Sequence, residues 1–153
     1  MREILYKAKR IDNGEWVYGS YLYTFCEDKN CPIVGIQGEK HWIVEENGNI
    51  FWIDEDTICQ YTGRVDKNGQ KIWENDFLDG FAYPYLSDGV HNYFAEVCWC
   101  TNAPAFGIYT RKYKNSKVRG ISEGFTEIME DWKPDDWEVI GNIFDNVELL
   151  ENK

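Results

Sequence analysis

Along most of the chain, short apolar stretches alternate with polar positions and are broken by turn residues, the pattern of half-buried strands. Residues 4–11 (ILYKAKRI) and 16–25 (WVYGSYLYTF) flank Asp12, Asn13, Gly14 and Glu15. Asn-Gly supplies the positive φ angles of a tight turn, so this segment reads as a hairpin. After the polar stretch CEDKNCP, apolar runs follow at 33–36, 42–44 and 50–53, the last two joined by a second Asn-Gly turn at Asn47-Gly48. Residues 58–62 predict a strand ended by Gly63, and Asp66-Lys67-Asn68-Gly69 a turn. Residues 70–73 give the next strand, Glu74-Asn75-Asp76 a tight connection, and Phe77-Leu78 the start of another. Beyond a longer loop at 82–92, YFAEVCWC and FGIYTRKY read as two more strands.

The period then changes. Phe125, Ile128, Met129 and Trp132 fall at i, i+3, i+4 and i+7, which predicts an amphipathic helix with Ser122 as cap and Pro134 as stop. WEVIGNIF returns to strand, and NVELL predicts a closing helical turn. The expected fold is mainly β, an antiparallel, barrel-like meander with one amphipathic helix near the C-terminus. It is read as one compact unit over 1–153, with sub-modules 1–57 and 58–153 as the alternative division.

Composition supports this picture. Seven Trp and ten Tyr in 153 residues favour strands. A net charge of −11 disfavours broad binding to nucleic acid or to an anionic membrane. The charge is uneven: residues 99–121 lack acids but carry Arg111, Lys112, Lys114, Lys117 and Arg119, whereas residues 122–153 hold ten acids against two lysines. The start, MREILYKAKRIDNGEW, has neither a leader pattern nor an apolar span, and five cysteines without an export signal read as reduced thiols in a cytoplasm.

The stretch QYTGRVDKNGQKIWENDFLDG (60–80) is crowded with groups that could do chemistry. A phosphate cradle needs several glycines leading into a helix, and here the residues after Gly69 are β-type, so the stretch reads as a chain turning a corner. Its first part, with EVIGNIFDNVELL near the end and RIDNGEWVYG near the start, resembles the YopX family of phage and prophage proteins from low-GC Gram-positive bacteria. The resemblance implies a phage-encoded, mostly β, intracellular protein and brings no established activity, so it lends no catalytic residues. Two departures are informative. Asn75 stands where the family usually has Gly, which points to a left-handed backbone position rather than to chemistry. Val147 stands where the family has a proline that would start a helical turn.

The candidates for chemistry are few. Cys26, Cys31, Cys98 and Cys100, assisted by His41 or His91, could gather on an ion, since residues 98 and 100 of a strand share a face. Their spacing departs from zinc patterns, however, and small buried hydrophobes are the plainer reading, with Cys59 in the core. No metal or cofactor is expected. Asp54-Glu55-Asp56 and Asp135-Asp136 read as turn and cap residues, because adjacency does not make carboxylates converge. No nucleophile motif is present, so no catalytic residue is assigned.

The functional expectation is therefore a non-enzymatic accessory protein that binds a host or phage protein or itself, as a homo-oligomer, through surface Tyr and Trp. One alternative is nucleic-acid binding through Arg111, Lys112, Lys114, Lys117 and Arg119, with Tyr109 and Tyr113 stacking bases; the plainer view is a solvated strand end. The other is mimicry of DNA by an acidic face, in which helical spacing would group Glu123, Glu127 and Glu130, with Asp131, Asp135, Asp136 and Glu138 nearby. A solvated acidic surface is the plainer view here too.

Overall fold

A computed structural model describes residues 3–27, 38–80, 93–100, 104–112, 126–128 and 137–150. The chain is mainly β, in antiparallel sheets, and divides into two units, Met1–Tyr61 and Thr62–Lys153. The first unit contains β1 (Tyr6–Lys9), β2 (Trp16–Cys26), β3 (Gly38–Val44), β4 (Ile50–Trp52) and a 3-10 turn (Glu55–Thr57). It ends in the first residues of β5 (Cys59–Val65), and its strand order is β4-β3-β2-β1-β5. Both predicted Asn-Gly turns form, with Gly14 at φ 72° and Gly48 at φ 88°. Ala8, Val17, Ile43 and Ile53 make the buried core, with Tyr6, Tyr21, Phe51 and Ile58 packed around it. All the strand residues in this set lie on one face, as the registers Ala8↔Val17, Tyr21↔Ile43 and Ile43↔Phe51 require.

β5 carries the chain into the second unit, where it pairs with β6 (Lys71–Trp73). There β7 (Asp76–Gly80), β8 (Tyr93–Cys100), β9 (Ala105–Lys112), β10 (Thr126–Ile128) and β11 (Trp137–Asn142) run in the order β10-β9-β8-β7-β11. Ile72, Leu78, Ala95, Val97, Phe106, Ile108 and Trp137 form its core. Both strand orders are open rows, so the barrel-like expectation gives way to two unclosed sheets.

The stretch 60–80 does turn corners, and it does so twice. Gly69 takes φ 81°, and the Asp66 carboxylate, 3% exposed, accepts hydrogen bonds from the backbone N–H of Asn68 (2.8 Å), Gln70 (2.9 Å) and Val139 (3.0 Å). At the next corner Asn75 is at φ 69°, the single non-glycine residue with positive φ among the described residues. Its N–H donates to the Val97 carbonyl (2.8 Å) and its carbonyl accepts from Ile143 N–H (3.1 Å), so the left-handed geometry is fixed from both sides. The predicted closing turn is present as a 3-10 turn, Val147–Leu149.

Three expectations are corrected. Thr126–Ile128 is a strand paired with β9 through Thr126↔Tyr109 and Ile128↔Gly107, not part of a helix. Two β-branched residues beside a strand ladder that needs a partner outweigh a periodicity of four apolar positions. The other helix residues named above, Phe125, Met129 and Trp132, lie outside the described residues, as do the cap and the stop. Gly63, at φ 85°, bends β5 without ending it. Finally, Cys26 is disulfide-bonded, whereas Cys59, Cys98 and Cys100 are free, so the cysteines are not all reduced thiols.

Candidate functional site

The two faces of the β2–β3–β4 sheet carry different chemistry, because alternation along each strand separates their side chains. On the core face the apolar packing stops partway along the strands. Beyond the Tyr21↔Ile43 pair, the same face continues as Tyr23↔His41 and Phe25↔Glu39. His41 is thus held in a strand at the end of the core, beside two tyrosines. Its ring lies nearly parallel to Tyr21 with centroids 5.9 Å apart, and 5.2 Å from Tyr23.

Glu55 reaches this place through the 3-10 turn. Ile53 N–H donates to the His41 carbonyl (3.0 Å) and Asp54 N–H to the Lys9 carbonyl (2.9 Å), which ties the turn to the sheet. Asp54 caps it by accepting from Asp56 N–H (3.1 Å), and the Thr57 hydroxyl accepts from Lys9 N–H (2.8 Å). Asp54 therefore plays the expected cap role. Glu55 does not: its Oε2 lies 2.6 Å from His41 Nε2, with Glu39 Oε1 3.8 Å away. Adjacency in the acidic triplet gave no hint of this, because the partner is supplied by another strand.

The imidazole is mostly buried, at 15% side-chain exposure, while Glu39 and Glu55 stand at 60% and 59%. Nδ1 is 2.5 Å from the Tyr21 hydroxyl. Nε2 is buried and makes no hydrogen bond, although the Glu55 oxygen is close to it. The Tyr21 phenol is held above the ordinary 10.0, first by burial and then by the negative charges of Glu55 and Glu39. An imidazole between two carboxylates can pass a proton or ligate a cation. Among the described residues these three form the one trio of metal-capable side chains, with donor atoms within 4.8 Å of one another.

The opposite face of the sheet is aromatic and open. The registers Leu22↔Trp42 and Trp42↔Trp52 make a row across three strands, with Tyr18 and Ile50 on the same side. Tyr18, Leu22, Ile50 and Trp52 are 42–56% exposed. Trp42 Nε1 donates to the Thr24 hydroxyl (2.8 Å), and Lys40 Nζ sits 3.9 Å from the Trp52 ring centroid.

The other candidates fare differently. Arg111 donates from Nε to Glu96 (2.6 Å) and lies over the Tyr109 ring, so it is engaged within its own sheet. Lys112 closes β9, and Lys114, Lys117, Arg119 and Tyr113 fall outside the described residues. Glu127 lies in β10, where an extended backbone replaces the helical spacing that would have grouped it with Glu123 and Glu130. Those two, with Asp131, Asp135 and Asp136, are outside the described residues, and Glu138 pairs with Lys67 (3.1 Å). Of the cysteines, Cys59 is buried as expected, and Cys98 and Cys100 are free. Burial, then neighbouring Cys100, pushes the Cys98 thiol up to about 11, which disfavours the thiolate an ion would need. Cys31 and His91 fall outside the described residues.

No curated protein sequence matches the chain. Among solved structures it is similar to protein EF1440 from Enterococcus faecalis, with 21% identity over 99% of this chain and 100% of that chain and a TM-score of 0.49. No helix among the described residues is long and apolar enough to cross a membrane. The YopX protein family model matches residues 5–151, nearly the whole sequence, and the chain belongs to the YopX family.

Proposed function

We propose that this chain is a non-enzymatic accessory protein of a phage or prophage, and that it binds another protein through the open aromatic face of its first sheet. The observation that carries this reading is the Leu22–Trp42–Trp52 row, flanked by exposed Tyr18 and Ile50. Trp and Tyr are the side chains that most often anchor interfaces, because each buries a large area for few rotatable bonds. Lys40 beside Trp52 adds a cation at the rim. The occupant that fits is a different protein offering apolar groups edged by carboxylates. An isologous pair of this same face would bring together two molecules that each carry a net charge of −11. In the host cytoplasm, the compartment we propose, the Cys26 disulfide would be held reduced; the Leu22–Trp42–Trp52 row does not depend on it.

The test compares the chain with Leu22→Asp and Trp52→Ala variants in affinity capture from infected host cells, followed by reconstitution with the purified captured protein. A one-to-one complex with an acidic protein, lost in both variants and weakened by salt, supports the proposal. A partner held equally by the variants, a captured nucleic acid, or light scattering that shows only self-association abolished by Leu22→Asp would overturn it.

A further inference from the structure

We infer that Glu39, His41 and Glu55 form a binding site for a first-row divalent cation, zinc above all, with His41 Nε2 and one oxygen from each glutamate as ligands. The reasons are geometric. A four-coordinate zinc holds its ligands at ~2.1 Å and so spaces them about 3.4 Å apart. The Nε2 atom is 2.6 Å from Glu55 and 3.8 Å from Glu39, values that bracket this spacing, and the two glutamates extend from exposed positions whose side chains can adjust. Nε2 itself is fixed, buried and without a hydrogen bond. The Glu55 oxygen is close to Nε2, at 2.6 Å, yet the pair does not form a hydrogen bond. An ion placed there would engage Nε2, which makes no hydrogen bond, and neutralise two adjacent carboxylates.

The surroundings suit a ligating histidine. Coordination through Nε2 requires the proton on Nδ1, and the Tyr21 hydroxyl at 2.5 Å is positioned to accept it, the role that an outer carboxylate or carbonyl fills in other histidine sites. The Tyr23 hydroxyl is also within hydrogen-bonding reach of Glu39. One imidazole with two carboxylates is a borderline-hard donor set, matched to zinc, manganese or ferrous iron rather than to cuprous ion or calcium. Three protein ligands leave a coordination position for solvent, or for a donor atom from a partner molecule. The site lies on the face opposite the aromatic row, so it stands independently of the protein-binding proposal.

The experiment titrates tag-free, chelator-treated full chain with zinc chloride by isothermal calorimetry. One equivalent is expected to bind in the micromolar range or tighter. Glu55→Gln, placed on an exposed turn where folding does not depend on it, and His41→Ala should each weaken binding about a hundredfold or more, and Tyr21→Phe about tenfold, the usual size of an outer-sphere effect. The double variant Cys98→Ser/Cys100→Ser should bind as the unaltered chain does. Cobalt in place of zinc should give visible ligand-field bands without an intense near-ultraviolet thiolate band. Absence of binding at 100 equivalents, loss of binding in the cysteine variant, full binding by Glu55→Gln, or a thiolate band with cobalt would each overturn the inference.

Discussion

Asp66 and Glu55 both sit in turns, one in Asp66-Lys67-Asn68-Gly69 and the other in the acidic run Asp54-Glu55-Asp56, yet their carboxylates meet opposite ends. Asp66 is 3% exposed and its oxygens accept three backbone N–H groups, two from its own turn and one from β11. Glu55 is 59% exposed and faces an imidazole nitrogen that makes no hydrogen bond. The first carboxylate is a part of the fold, since backbone donors absorb its capacity to accept. The second is exposed, and the nitrogen beside it makes no hydrogen bond. Acidity in a turn therefore says little about function; what the neighbouring strand presents to that turn decides it.

Asp66→Ala gives the sharpest break in this contrast. It leaves three backbone donors without their acceptor, one of them on a different strand, and should lower the urea-derived stability by about 3 kcal/mol or more. A loss below about 1 kcal/mol would mean that water replaces the carboxylate readily, and the distinction would fail.

Acid should probe the same group without truncating it. Burial acts to raise the Asp66 pKa, but the Val139, Gln70 and Asn68 N–H groups and the Lys67 charge outweigh it and hold the carboxyl below its ordinary 3.8. A pKa lowered on folding contributes stability in full above the unfolded value and loses it as pH falls through the folded one. Urea midpoints should therefore fall below pH 3.8 in the parent chain, and Asp66→Asn should flatten part of that decline. An identical acid profile for the two proteins would remove Asp66 from the cause.

The second corner sharpens the comparison from the backbone side. Asn75 at φ 69° should tolerate glycine within about 0.5 kcal/mol, whereas Asn75→Val should cost about 1–2 kcal/mol by forcing a β-branched residue into the left-handed region. Thermal denaturation of the two variants measures the gap. The smallest effect is expected at Glu55→Gln in metal-free protein, less than about 1 kcal/mol, since a half-exposed ion pair contributes little. A loss as large as that of Asp66→Ala would make Glu55 a structural residue after all.

Much of the fold was legible because its turns are written in local chemistry. Asn13-Gly14, Asn47-Gly48 and Asn68-Gly69 each mark a turn, and each glycine has positive φ. Asn75, where the family usually has glycine, points to a left-handed backbone, and its φ is 69°. The apolar spacing around Phe125 and Ile128 misleads because it reports which residues seek burial, not which neighbour supplies the hydrogen bonds. At Thr126–Ile128 the edge of β9 supplies them.

The candidate sites follow the same division. The aromatic content that suggested an interface was visible in seven Trp and ten Tyr, but the row Leu22–Trp42–Trp52 exists only through strand register. In the sequence, His41 offers itself only as a helper of cysteines, and Glu55 only as one acid in a turn. What joins them is the return of the chain after β4, where Ile53 N–H bonds the His41 carbonyl and turns Glu55 toward the ring.

By itself, the sequence determined the β class, the turn positions and the membership of its family, because these rest on φ preferences, alternation and short motifs that act over a few residues. The tertiary structure decided which carboxylate is satisfied by backbone donors and which is left beside a nitrogen that makes no hydrogen bond. That choice depends on contacts between residues 14 positions apart in the chain for Glu55 with His41, and 73 apart for Asp66 with Val139. Such separations leave no periodic trace, since they are set by how strands pair and not by what any one segment prefers.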